Sequence, residues 1–178
     1  MKKGIFSAKR LCRSGVIAAL YVVFTVSFGS LSFFGGMQVR PSEGLCMLPL
    51  LYPEAVAALC VGCFLSNLFS PFAIFDITVG VGATLLAALC TYFTGKFVKN
   101  KPLKIISGGI FPVLFNAAAV PLIVLLADGG GVSAITLAAY FSIAGEVALS
   151  EAIWVYAVGV PLTLFCMRRR DKKTALFE

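Results

Sequence analysis

Five ionisable side chains stand inside or at the edges of long apolar stretches: Arg40, Glu43, Asp76, Glu146 and Glu151. Burying such groups in an apolar surrounding is costly, so each needs a partner, a ligand or a structural reason. Arg40 and Glu43 are three residues apart. That spacing suits a local ion pair at the start of a helix capped by Ser42, or a pair that faces a ligand. Glu146 and Glu151 are five apart, which at 3.6 residues per turn separates their directions by about 140°. They cannot both face one narrow pocket. Glu151 lies deeper in its run, beside Ser150 and with Trp154 on a neighbouring face, and is the expected recognition carboxylate. Asn116 is either its interhelical partner or a pocket amide, and Asn67 is a second amide with the same two readings. Asp76 follows the turn Ser70-Pro71, where a carboxylate complements a helix N-terminus or faces a ligand.

Other chemistry is excluded by composition. The chain has no histidine, which removes Ser-His-Asp, Cys-His and His-ligated zinc sites. No GxxxxGKS/T run occurs, so ATP-driven work would fall to a partner. The six cysteines include one Cys60-x-x-Cys63 pair without a second pair to complete a zinc site. They read as small apolar packing residues. No enzyme activity, metal or cofactor is expected.

The elements that must hold these side chains are set by an unusual solvent. Of 178 residues, 60% are hydrophobic and 13% charged, and the mean hydropathy is +0.97. Too little polar surface exists to cover so apolar a core in water, so lipid is the solvent for most of the chain. One integral-membrane domain over residues 1–178 is expected, since six crossings of about 20 residues each leave only short loops.

Charge placement counts those crossings. Lys2, Lys3, Lys9, Arg10 and Arg13 precede the first apolar run. Lys96, Lys99, Lys101 and Lys104 sit mid-chain, and Arg168, Arg169, Arg170, Lys172 and Lys173 follow the last run. This is the positive-inside pattern, and it requires no nucleic-acid partner to explain the net charge of +7. With all three clusters in the cytoplasm, the fold expected is an all-α six-helix transmembrane bundle with both termini inside. The spans fall at about 15–34, 42–52, 54–70, 74–95, 104–127 and 137–167, with an outer turn at Asp128-Gly129-Gly130-Gly131. The first run is read as an uncleaved span rather than a signal peptide. The second span is too short: 11 helical residues reach only about 16 Å, against a hydrocarbon core of about 30 Å. Residues 37–41 must therefore enter the membrane profile as non-helical backbone, which is tolerated only where protein or a cavity covers it. That places a cavity near Arg40. The topology also puts Arg40, Glu43 and Asp76 near the outer surface.

Small residues recur at four-residue spacing on the first span, as Ser14 and Ala18 and as Gly15 and Ala19. Such a face permits close approach of another helix, within the bundle or from a partner protein. Gly80, Thr84 and Ala88 form a similar face that reads as internal packing.

The runs Met37-Gln38-Val39-Arg40-Pro41-Ser42-Glu43-Gly44-Leu45, Gly62-Cys63-Phe64-Leu65-Ser66-Asn67-Leu68-Phe69-Ser70, Phe115-Asn116-Ala117 and Ser150-Glu151-Ala152-Ile153 resemble the queuosine-precursor transporter family, QueT. The resemblance runs from about Val16 to Leu164. It implies the substrate-binding (S) subunit of an energy-coupling-factor (ECF) importer in a bacterial plasma membrane, working with a transmembrane T subunit and two cytoplasmic ATPases. The implied ligand is a deazaguanine, queuine or its aminomethyl or cyano precursor. A carboxylate suits the guanine-type N–H edge, an amide the opposite edge and aromatic rings the faces. Glu151 or Glu43, Asn116 or Asn67, and Phe33, Phe34, Phe72 or Trp154 are the residues available for those parts, alongside Arg40 and Asp76. Ser14, Gly15, Ala18 and Ala19 resemble the face by which S subunits contact the T subunit. A proton-coupled secondary transporter, or an S subunit for another vitamin, would use similar buried carboxylates.

Overall fold

A computed structural model describes residues 7–33, 37–127 and 137–175, with side chains to residue 170. All regular structure among them is helical. Helix α1 (Ala8–Val26) is followed by a single 3₁₀ turn (Gly29–Ser32) and then a ten-residue 3₁₀ helix (Pro41–Leu50). Helix α2 is Glu54–Asn67. Helices α3 (Ala73–Phe97), α4 (Lys101–Ala127) and α5 (Leu137–Arg170) are each long and apolar enough to cross a membrane. The helical backbone of α5 continues to Ala175.

The first span differs from its expected bounds. α1 begins at Ala8, so Lys9, Arg10 and Arg13 are part of the helix rather than a leader to it, and it ends at Val26 rather than near residue 34. Long basic side chains are good helix formers and can reach polar surroundings from a helix end. At the other end Gly29, with φ of 50°, adopts a left-handed conformation that glycine tolerates and the helix does not. The segments carrying Lys2, Lys3, Phe34 and the turn from Asp128 to Gly131 lie outside the described residues.

The second span is wound differently from expectation. Pro41–Leu50 is a 3₁₀ helix, not an α-helix, and Ser42 to Leu50 are buried without exception. At about 2.0 Å per residue, ten residues reach about 20 Å, which lengthens the segment but leaves it short of the hydrocarbon thickness. Ser42 does not cap it. Its hydroxyl is hydrogen-bonded to Thr25 of α1 at 2.8 Å, and Arg40 occupies the cap position.

This 3₁₀ helix threads the centre of the bundle, packing against α1, α3, α4 and α5. It approaches α3 closely, where Gly95 lies against the Leu50 backbone, and α5, where Gly44 meets Gly159. A Cβ on Gly44 would lie 2.7 Å from Val158, and one on Gly159 would lie 2.8 Å from the Gly44 carbonyl. Gly159 ends a π-helical turn, Val155–Gly159, just before Pro161. A proline there leaves the carbonyl four residues back without its amide donor, and local π widening accommodates the defect. A second π turn, Asp76–Gly80, lies near the start of α3.

The interior is divided. Ile17, Tyr21, Leu45, Ala58 and Leu59 form part of an apolar cluster between α1, α2 and the 3₁₀ helix, and Met47, Leu50, Ile105 and Val155 form another toward α4 and α5. The outward faces are apolar as well: Leu86, Ile106, Leu114, Phe141 and Leu149 are all exposed. So apolar an exterior is the pattern a bilayer selects.

Candidate functional site

The N-terminal end of the 3₁₀ helix organises a buried polar cluster. In a 3₁₀ helix, residues i and i+3 eclipse one another, so Arg40, Glu43 and Cys46 stack along one ridge. Arg40 Nε lies 3.9 Å from Glu43 Oε1, and the Cys46 thiol donates to Glu43 Oε2 at 3.1 Å. From α1, the Tyr21 hydroxyl donates to Glu43 Oε1 at 2.7 Å. From α4, the Asn116 amide donates to Glu151 Oε1 on α5 at 2.9 Å and reaches Glu43 Oε2 at 3.4 Å. Both oxygens of Glu43 are thus engaged. Glu151 Oε2 is buried and accepts no hydrogen bond among the described residues, and Arg40 Nε donates none.

The guanidinium of Arg40 extends the cluster toward α2 and α3. Its Nη2 lies 3.5 Å from Asn67 Oδ1, and its Nη1 lies 3.4 Å from Gln38 Oε1. The ring of Phe33 lies 6.0 Å from the guanidinium carbon, at the limit of a cation–π contact. Asn67 donates to the Asp76 carbonyl at 2.8 Å, and the Asp76 carboxylate accepts a hydrogen bond from Ser70. Asp76 is therefore tied in through its backbone, in the first turn of α3, where it opens the π turn.

The non-helical stretch before Pro41 covers this cluster and is itself pinned. Val39 N donates to the Leu31 carbonyl at 2.9 Å, Ser32 Oγ lies 2.9 Å from the carbonyls of Thr25 and Val39, and Ser150 donates to the Gln38 carbonyl. A cavity of about 330 Å³ lined by Val26, Gly29, Ser30, Phe33, Phe69, Ser70 and Pro71 shares Phe33 with the cluster. Its volume is at the lower end of what small-molecule sites use, about 300–1,000 Å³.

Arg40, Glu43, Asn67, Asn116 and Glu151 thus come together, with Asp76 at the edge. Glu146 is exposed, five residues from the buried Glu151, as their spacing requires. Trp154 is half-buried, and no hydrogen bond or ring contact joins it to the cluster among the described residues. Phe72 lines a different groove with Pro71, Ile74 and Ala127. Tyr21, Gln38 and Cys46 were not singled out from sequence. Tyr21 carried a signal, since a phenol in mid-span has a hydroxyl that must find a partner. Cys46 did not, because its role depends on the 3₁₀ winding.

Near the basic end of α1, Ser14, Gly15 and Ala18 line a groove of about 380 Å³ together with Arg10, Leu11, Glu54, Ala57, Ala58 and Val61. Ala19 is exposed next to it. Arg13 is ion-paired with Glu54 and lies over the Tyr52 ring, 4.1 Å from its centroid. Thr84 and Ala88 are buried, and Gly80 lies against Asn67, so that face packs internally. All six cysteines are free. Cys63 contacts Thr84 Oγ1 at 3.3 Å and Asn67 Nδ2 at 3.4 Å, so Cys63, like Cys46, serves as a weak polar partner as well as a packing group.

The helical chain thus has three helices long and apolar enough to cross a membrane and a buried polar cluster, the makings of a membrane protein. The family model described as QueT transporter matches residues 11–168, and the chain belongs to the QueT transporter family. No match is found among curated proteins or among solved structures.

Proposed function

We propose that this chain is the substrate-binding subunit of an ECF-type importer and captures a deazaguanine, queuine or a precursor of it, from the outer side of a bacterial plasma membrane. It is one integral-membrane domain with six crossings and both termini in the cytoplasm. The 3₁₀ helix and the extended residues before it make the second crossing together. A transmembrane T subunit and two cytoplasmic ATPases complete the transporter, with the groove at Ser14, Gly15 and Ala18, flanked by Ala19, as the T-subunit contact.

The observation that carries this reading is the cluster of Arg40, Glu43, Asn67, Asn116 and Glu151, buried within an apolar bundle of a transporter family. Five polar side chains in such a place are expensive unless their function needs them. Glu151, with one oxygen free, reads the ligand. Glu43, with both oxygens engaged, holds Arg40 and Asn116 in position. Asn67 and Asp76 brace Arg40 from the other side, and Phe33, beside the Arg40 guanidinium, is the aromatic surface available to the ligand. Substrate enters under the segment between Gly29 and Pro41.

Mass spectrometry of small molecules released from the purified chain tests this reading. A deazaguanine is expected. A different vitamin-like molecule would retain the transporter class and overturn the substrate.

A further inference from the structure

The buried cluster is out of charge balance. Among the described residues Arg40 is the one buried cation, at 8% exposure, while Glu43 at 1% and Glu151 at 4% are both buried carboxylates. Asp76 at the edge, bonded to Ser70, adds to the negative side, and Asn67 and Asn116 are neutral. The excess can be assigned to one atom. Glu43 is neutralised by Arg40 and solvated by Tyr21, Cys46 and Asn116. Glu151 receives only the Asn116 amide on Oε1, and its Oε2 is without a partner. A carboxylate left in this condition in a low-dielectric interior is strongly unfavourable unless it takes up a proton or a ligand supplies N–H donors or a positive charge, and of these a positive charge offsets its own most fully.

We propose that the ligand carries a single positive charge and that Glu151 is the carboxylate that compensates it. This rests on the binding-subunit reading and sharpens it. With such a ligand bound, Arg40 and the ligand offset Glu43 and Glu151, leaving only Asp76 at the edge, where Ser70 donates to it; a neutral ligand would leave Glu151 without a counter-charge. Deazaguanines offer both cases on one ring, since the aminomethyl form bears an ammonium group and the cyano form bears no charge.

The test is titration of the purified full chain at neutral pH with aminomethyl-deazaguanine and with cyano-deazaguanine. The wild type is expected to bind the aminomethyl compound at least about tenfold more tightly, equivalent to about 1.4 kcal/mol. Glu151→Gln is expected to bring the two affinities within about threefold of each other. Equal or tighter binding of the cyano compound by the wild type overturns the proposal, and this comparison stands even if the variant fails to fold. A preference that survives Glu151→Gln but disappears in Glu43→Gln overturns the assignment to Glu151. If neither compound binds, the deazaguanine reading fails instead. The molecule that co-purifies then decides the charge requirement: a cation sustains it and a neutral molecule or an anion overturns it.

Discussion

The amide nitrogen of Asn116 lies between two buried carboxylates, 2.9 Å from Glu151 Oε1 and 3.4 Å from Glu43 Oε2. One donor group thereby links the 3₁₀ helix, α4 and α5, and separates two like charges that would otherwise repel across a low-dielectric gap. Asn116→Leu keeps the approximate volume and removes the donor. It is expected to destabilise the chain by about 1–3 kcal/mol and to weaken ligand binding at least tenfold. Thermal unfolding in detergent and equilibrium titration check the two parts separately.

Tyr21 and Glu43 form the other fixed end of the network, through a 2.7 Å hydrogen bond. Tyr21→Phe removes that hydroxyl and little else. Loss of one bond to a carboxylate predicts a stability decrease of about 1.5–3 kcal/mol. Affinity should fall less than about fivefold, because the phenol supports Glu43 and not the free oxygen of Glu151. A large affinity loss with unchanged unfolding temperature would mean that Tyr21 touches the ligand itself.

The sequence makes the contents of this network legible, but not its division of labour. Arg40, Glu43, Asn67, Asn116 and Glu151 each stand out because an ionisable or amide group in an apolar run has few bland explanations. Which carboxylate is spare depends on how many donors surround each one. Those donors include Tyr21, from a helix distant in sequence, and Cys46, brought over Glu43 only by 3₁₀ winding. The shortness of the second span is likewise readable by arithmetic. Its winding is not, because a 3₁₀ and an α-helix of ten buried residues share the same composition. The start of α1 is not legible either, since hydropathy marks where an apolar run begins, whereas the helix continues through Arg13 and Arg10 to Ala8.

Gly44 and Gly159 mark where the 3₁₀ helix and α5 come closest. A methyl group on Gly44 would sit 2.7 Å from two carbons of Val158. Gly44→Val is therefore expected to cost about 1–3 kcal/mol or more through overpacking and to reduce the amount of folded chain recovered from membranes. Fluorescence-detected size-exclusion chromatography would report it as a loss of the monodisperse peak.

Gly15 offers a cleaner separation of roles. A Cβ there meets nothing within 4 Å, so Gly15→Val should fold and bind ligand as the wild type does. The added bulk projects into the groove lined by Ser14, Ala18 and Ala57. Co-purification of the T subunit and ATPases with the variant is expected to fall at least fivefold. Unchanged co-purification would place the partner contact elsewhere.

The topology has its own check. Reporter fusions at the two termini should both be active only as cytoplasmic reporters, as the basic clusters around Arg10 and Arg169 require. Opposite behaviour of the two ends would mean an odd number of crossings, and the 3₁₀ helix would then not complete one.

In the proposed function the chain alone captures a deazaguanine at the cluster around Glu151. Isothermal titration of aminomethyl-deazaguanine into the purified chain, with no T subunit and no ATPase present, tests it most directly. Saturable one-to-one binding is expected, weakened at least a hundredfold by Glu151→Gln, about 2.7 kcal/mol, while the folded variant stays monodisperse. No saturable binding to the isolated chain, or binding that a folded Glu151→Gln variant leaves unchanged, would contradict it.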